Sequence, residues 1–330
     1  MTHRRALRLL LILLLTTALA HAGSLDFPAL QADLNTLAST APARLGVCVS
    51  DGKQSACLRP NERFSLQSVM KLPVGFAVLD AIDAGRFHLD QRVTLRREDT
   101  SVFMQPVIDL LGPNGYTTTL GDLIRRANID SDSAAADYLA RLLGGIRNVQ
   151  RTLTRKGVRG LRIDRDERDL QTEIVGLRWG PQYYDPKRLT ADIAAVHPAV
   201  RERAYKAYQT DPRDTATPTG MAEFLLNLHA GRLLKPITTA FLLKALADCA
   251  TGLDRLKAGT PPTWKLAHKT GTAGSWNGIS AATNDVGLLT SPQGSTFAVA
   301  VFVADSPAPS EARAALIAKV AAFTVRHYRK

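Results

Sequence analysis

Gln67-Ser68-Val69-Met70-Lys71-Leu72-Pro73-Val74-Gly75-Phe76-Ala77-Val78-Leu79 is the stretch from which the rest of the chain can be read. Apolar residues at Val69, Leu72, Phe76, Leu79 and Ile82 follow a helical period, so a helix is predicted to begin near Ser68, with Gly85 as its stop and a slight bend at Pro73. Ser68 and Lys71 stand three residues apart and share a helix face, so the lysine nitrogen can reach the serine hydroxyl and help remove its proton. At a helix N-terminus the Ser68 backbone N–H has no intrahelical acceptor and can bind an oxyanion formed on attack.

Working outward, residues 45–49 and 56–64 have strand character around a turn at Ser50-Asp51-Gly52-Lys53. Residues 120–143 are helical with a break near 128–130, and Gly144-Gly145 closes them. In the closing third, residues 264–269, 281–290 and 296–304 are β-rich, and a helix follows over 310–328. Strands at both chain ends with helices between predict an α/β fold: an antiparallel sheet built from both ends, flanked by helices, with an inserted all-helical lobe. The expected division is an α/β lobe of residues 23–66 and 214–330 and a helical lobe of residues 67–213, including an enlarged loop over 165–214. No internal repeat points to a solenoid.

Three further motifs follow Ser68-Val-Met-Lys71 in order: Ser131-Asp132-Ser133, Glu167 within Arg165-Asp-Glu-Arg-Asp-Leu-Gln171, and Lys269-Thr270-Gly271. A second hydroxyl between two lysines, Ser131, can pass a proton to a leaving nitrogen, although Ser131 or Asp132 also suits a helix N-cap. Lys269 and Thr270 suit a substrate carboxylate, and Gly271 allows backbone and ligand to approach closely. A carboxylate at Glu167 can activate water against an acyl-enzyme and so release Ser68.

Residues 1–22 read as an export signal: Arg4, Arg5 and Arg8 precede the apolar run Leu9 to Leu15 and the small-residue site Ala20-His21-Ala22. The mature chain is expected to begin at Gly23 and to be periplasmic or secreted, by either the general or the twin-arginine route, without a lipid anchor or other stable membrane anchor. The formal charge of +12 falls to +9 once those three arginines are removed, and the basic residues are scattered without a nucleic-acid-binding pattern. No nucleic-acid partner is therefore expected, and a monomer is. The seven histidines show no metal-ligand spacing, so neither metal nor other cofactor is expected. No G-x-S-x-G elbow appears. Cys48 and Cys57 flank the hairpin turn, where either a cross-strand disulfide or unpaired buried thiols fit, and Cys249 reads as a small core residue.

Together the motifs resemble those of the class A serine β-lactamases. Arg59-Pro-Asn-Glu-Arg-Phe64, Ser68-Val-Met-Lys71, Arg165-Asp-Glu167, Asp214-Thr-Ala-Thr-Pro218 and His268-Lys-Thr-Gly-Thr272 match that family's blocks in order over nearly the whole mature chain. The resemblance implies a serine β-lactamase-like fold and a β-lactam as small-molecule substrate. It makes Ser68 the acylated nucleophile, Lys71 and Ser131 proton carriers, Glu167 the deacylating base, and the N–H groups of Ser68 and Thr272 the oxyanion hole. Substrate-binding residues would be Ser133, Gln171, Lys269, Thr270, Gly271 and Thr272. Whether Lys71 or Glu167 takes the first proton is left open.

The chain also departs from the family pattern. Ser133 stands where asparagine is usual, Gln171 where many members place a water-holding asparagine, and Gln67 and Ala273 where several carbapenem-hydrolysing members pair cysteines. Arg165 and Asp214 match the ion pair that closes the neck of the Glu167 loop, but here they enclose the long segment 166–213. A helix broken at Pro198 is predicted within residues 187–209, with Trp179, Tyr183 and Tyr184 either lining the entrance or pinning the insertion. The alternative function is a penicillin-interacting D,D-peptidase, transpeptidase or β-lactam sensor that deacylates slowly.

Overall fold

The computed structural model describes residues 23–329, so the proposed export signal lies outside the described residues. Five antiparallel strands form the main sheet in the order Ser55–Leu58, Arg44–Ser50, Thr296–Ala304, Thr283–Thr290, Lys265–Thr272. The central strand, Thr296–Ala304, is apolar and buried from its second residue, Phe297, onward because both its faces are covered. Phe297, Val299, Val301 and Val303 face the terminal helices Phe27–Thr40 and Ser310–Arg326. On the opposite face Ala298, Ala300 and Ala304 are small, and the helix Pro218–His229 packs over them. Cys48 and Cys57 stand opposite each other in register and are joined by a disulfide, which decides between the two options the spacing left open.

Several boundaries differ from expectation for local reasons. The strand predicted over 56–64 stops at Leu58, where Arg59 turns the chain with φ +46°, and Phe64–Ser65 joins a separate small sheet with Thr215–Ala216 and Leu161–Arg162. Gln67–Met70 forms a single 3₁₀ turn, and the α-helix proper runs Lys71–Asp83. Pro73 falls in its first turn, where helix N–H groups lack intrahelical acceptors anyway, so the ring removes little. The break expected at 128–130 lies at 130–132, between the helices Leu120–Ile129 and Ser133–Leu142. Lys265–Thr272 extends beyond the predicted end of its strand, and the last helix ends at Arg326.

Lys71–Asp83 is buried on every side from Lys71 to Ala81. A helix apolar all round belongs in a core, and each large side chain such as Phe76 or Leu79 contributes about 1.5–3 kcal/mol by leaving water. Helices Leu120–Ile129, Ser133–Leu142, Ile146–Arg155 and Pro236–Ala247 surround it. The enlarged loop carries the helix Glu167–Ile174 and then two more, Pro186–Ala195 and Pro198–Gln209, each opened by a proline at its first position. Among the described residues, no helix is long and apolar enough to cross a membrane.

Candidate active site

The Ser68 turn packs between the strand Lys265–Thr272 at the edge of the sheet and the helix Lys71–Asp83. Gln67 takes φ +48° and is fully buried, turning the chain so that Ser68 opens onto the cleft while Val69 and Met70 go into the core. A β-carbon at Gly271 would lie 2.4 Å from Leu66 O and 3.1 Å from Val69 N, so only glycine lets the strand Lys265–Thr272 lie against this turn. Asn284 on the adjacent strand fastens the same turn, its Nδ2 donating to Ser65 O at 2.7 Å and Leu66 O at 3.1 Å.

Ser68, Lys71, Ser131, Ser133, Glu167 and Lys269 come together in one hydrogen-bonded cluster. Lys71 Nζ, fully buried, donates to Ser68 Oγ at 3.0 Å, Ser131 O at 2.6 Å and Ser133 Oγ at 3.1 Å, and lies 3.2 Å from Glu167 Oε1. Ser68 Oγ donates to Glu167 Oε1 at 3.3 Å. Ser131, at φ +60°, accepts from Lys269 Nζ at 2.9 Å and stands between the two lysines. Asp132 caps the following helix through Ala135 N at 2.9 Å and also accepts from Val107 N at 2.7 Å. Burial and the nearby Lys71 charge push the Lys269 ammonium down to about 7.

The far wall of the cleft is polar. Thr270 Oγ1 lies 2.6 Å from Thr251 Oγ1, and Arg255 donates to Thr272 Oγ1 at 2.7 Å, to Gly271 O at 3.2 Å and to Asn284 O at 2.8 Å. Behind it, His268 pairs with Asp285 at 2.8 Å; burial opposes the imidazolium, but Asp285 holds it up to about 10.

Glu167 is positioned from its own backbone. Asp137 accepts Glu167 N at 2.9 Å and Arg168 N at 3.3 Å, and takes a hydrogen bond from Ser101 Oγ at 2.6 Å. Burial, with the Asp166 and Glu167 charges close by, pushes the Asp137 carboxyl up to about 8. Gln171 Nε2 donates to Glu167 Oε2 at 3.2 Å and to Gln67 Oε1 at 2.8 Å. Arg165 closes the neck through Asp214 Oδ2 at 2.6 Å, and Asp214 Oδ1 accepts the backbone N–H groups of Asp164 at 2.7 Å and Arg165 at 2.9 Å. The neck thus survives the long insertion, as the slow growth of loop-closure entropy with length allows.

Three parts of the insertion anchor it. Arg168 donates to Glu98 O at 2.6 Å and to Thr100 O, while its guanidinium lies 5.0 Å from the Trp179 ring centre and 5.7 Å from that of Tyr184. Tyr183 is buried with Val102 and Leu189. Of the two roles considered for these aromatics, the packing is that of pins against residues 98–102. The third is its helix Pro198–Gln209, whose Tyr205 accepts from Ala281 N and whose Tyr208 hydroxyl bonds Ser65 Oγ and Gln67 Nε2.

Asp137, Asn284, Arg255, Tyr205 and Tyr208 went unread in the sequence. Tyr205 and Tyr208 stand three apart on a predicted helix, which places both rings on one face and was the only local signal.

A model of the beta-lactamase enzyme family matches residues 29–328. The chain is 31% identical over 290 residues to β-lactamase VEB-1 of Pseudomonas aeruginosa, covering 87% of this chain and 86% of that protein. The chain belongs to the class A β-lactamases. This β-lactamase is also 28% identical to the extended-spectrum β-lactamase PER-1 of P. aeruginosa, over 90% of this chain and 87% of the relative. Among solved structures it resembles a β-lactamase from Chitinophaga pinensis DSM 2588, with TM-score 0.74, 27% identity and coverage of 89% of this chain and 97% of that one. An ancestral class A β-lactamase matches with TM-score 0.73 and 31% identity, over 90% of this chain and 99% of the other.

Proposed function

We propose that this class A β-lactamase hydrolyses β-lactam antibiotics through an acyl-enzyme on Ser68, deacylated by water that Glu167 activates. The observation that carries the reading is the single cluster in which Lys71, Ser131, Glu167 and Lys269 all bear on the Ser68 hydroxyl or on one another. An ammonium only donates, so with Lys71 directed at Ser68 Oγ the serine hydrogen points to Glu167 Oε1, which supports Glu167 as the first proton acceptor.

Ser68 Oγ then attacks the lactam carbonyl carbon, and the oxyanion falls to the N–H groups of Ser68 and Thr272. As the ring C–N bond breaks, Ser131 gives its hydroxyl proton to the leaving nitrogen and is reprotonated by Lys71. Lys71, having given a proton to Ser131, takes the one held on Glu167; a water held by Glu167 and Gln171 then loses a proton to Glu167 and attacks the ester, and Ser68 regains that proton as the product carboxylic acid departs. Lys269 and Thr270 hold the substrate carboxylate, and Ser133 faces its amide side chain.

No cofactor enters these steps. With lobes of residues 23–66 plus 214–330 and of residues 67–213, the reaction would run at their seam. An N-terminal signal over residues 1–22 would deliver the mature enzyme to the periplasm or beyond. The curated relatives bear β-lactamase names and the chain carries a hydrolytic carboxylate, so hydrolysis is favoured over the slowly deacylating peptidase or sensor.

The test is mass spectrometry over time with a penicillin or cephalosporin, beside absorbance of ring opening, for wild type and Glu167→Ala. A transient Ser68 adduct with many turnovers in wild type and a trapped adduct in the variant are expected, since a positioned general base is worth about 10²–10⁴-fold. A persistent wild-type adduct, or none at all, would sink the reading.

A further inference from the structure

We propose that Tyr208, carried by the inserted helix Pro198–Gln209, is a positioning residue for deacylation. It sets the polarity of an amide chain that ends on the Glu167 carboxylate. The inference rests on the reading of Glu167 as the deacylating base.

Tyr208 is buried, and its hydroxyl bonds both Ser65 Oγ and Gln67 Nε2. Gln67 Oε1 accepts from Gln171 Nε2, which also donates to Glu167 Oε2. Four side chains thus form one line from the insertion to the carboxylate. A charged carboxylate only accepts, so Gln171 must present its NH₂ to Glu167 and to Gln67, and Gln67 must in turn present its carbonyl to Gln171 and its NH₂ to Tyr208. The phenol satisfies that demand: its oxygen accepts from Gln67 and its hydrogen goes to Ser65 Oγ. Burial raises the phenol well above its ordinary value and keeps it a neutral hydroxyl. Without the Tyr208 oxygen, the fully buried Gln67 amide would leave a donor without a partner. Amide rotation would then relieve the Gln67 donor at the expense of Gln171, turning Gln171 from the carboxylate it steadies.

The helix can impose this orientation because it is docked at a second point. Tyr205 Oη accepts from Ala281 N at 2.8 Å and lies 2.9 Å from Gly274 O and 2.8 Å from Ile279 O, against the hairpin that follows Lys265–Thr272. A helix held by Tyr208 at the Ser68 turn and by Tyr205 at the hairpin leaves the Tyr208 ring little freedom to follow Gln67 if the amide turns.

The experiment is single-turnover acylation and deacylation of the full-length mature enzyme with one cephalosporin, followed by rapid-quench mass spectrometry. The proteins are wild type, Tyr208→Phe, Gln67→Leu, the double variant and Glu167→Gln. Tyr208→Phe keeps the ring and loses only the hydroxyl. It should slow deacylation about tenfold and leave acylation within about twofold, with Gln67→Leu similar and the double variant no slower than either alone. Unchanged deacylation in Tyr208→Phe, or a parallel fall in both steps, would overturn the inference. Should Tyr208→Phe not fold, Gln67→Leu breaks the same line at its next member, and unchanged deacylation there overturns it equally. If Glu167→Gln traps no adduct, the reading of Glu167 fails, which is a separate outcome.

Discussion

The two halves of the site, the turn that carries Ser68 and the loop that carries Glu167, are held by different forces. Ser68 and Lys71 stand at the start of a helix buried on all sides, so hydrophobic burial and close packing fix Ser68. Glu167 rides on a short helix held by Arg165, Asp214, Asp211, Glu173 and Arg213 and by the Arg168 contacts to residues 98–100. One half of the reaction therefore depends on apolar volume and the other on paired charge. Acylation and deacylation should respond separately when each is disturbed.

Asp214→Ala should give the largest effect. Arg165 keeps Glu173 and Asp211, but the substitution removes the fully buried acceptor of Arg165 Nε and of the Asp164 and Arg165 backbone N–H groups, and each buried donor left without a partner costs about 1–3 kcal/mol. Denaturant unfolding should show that loss, and burst kinetics should show deacylation falling far more than acylation. A parallel fall would mean that the neck supports the nucleophile as well.

Leu79→Ala probes the opposite half, in the core of the nucleophile helix, where a large-to-small change costs about 2–5 kcal/mol. Here the ratio of acylation to deacylation rates per folded molecule should stay as in wild type. A changed ratio would break the contrast.

Lys269 sharpens the comparison through pH. Its ammonium, held down to about 7, is charged below that pH and neutral above it. For a substrate bearing a carboxylate, kcat/KM should fall on the alkaline side of about pH 7, by up to about tenfold per unit, with KM taking the change. The same profile for single-turnover deacylation should be flat across that limb, because the acyl group is already bound. A kcat/KM profile flat from pH 6 to 9 would show that Lys269 keeps its proton.

Arg213→Ala should have the smallest effect. Arg213 is more than a third exposed, and its pairs with Asp211 and Glu173 lie at the rim of the neck, where exposed pairs contribute about 0–1 kcal/mol. A loss as large as that of Asp214→Ala would show that the ion pairs act as one network.

Much of this was legible in the sequence. Periodicity from Val69 to Ile82 foretold the buried helix, and the β-rich runs near both ends foretold the sheet, because burial imposes its period directly on the residues. Ser68, Lys71 and their companion motifs carry short spacings that a helix or strand converts into a shared face. Boundaries were less legible where a positive φ intervenes. Arg59 ended a strand early and Ser131 moved a helix break, and neither residue type announces that conformation.

The sequence by itself determined the fold class, the family and the set of residues available for chemistry, because periodicity and motif spacing are local properties of a chain. Only the tertiary structure decided that Asp137 meets the Glu167 backbone, that Asn284 holds the nucleophile turn, and that Tyr208 closes a line of amides to Glu167. Those partners lie 30, 219 and 141 residues apart in the chain. Contacts over such separations follow from how helices and sheet pack together, and no local pattern of residues encodes them.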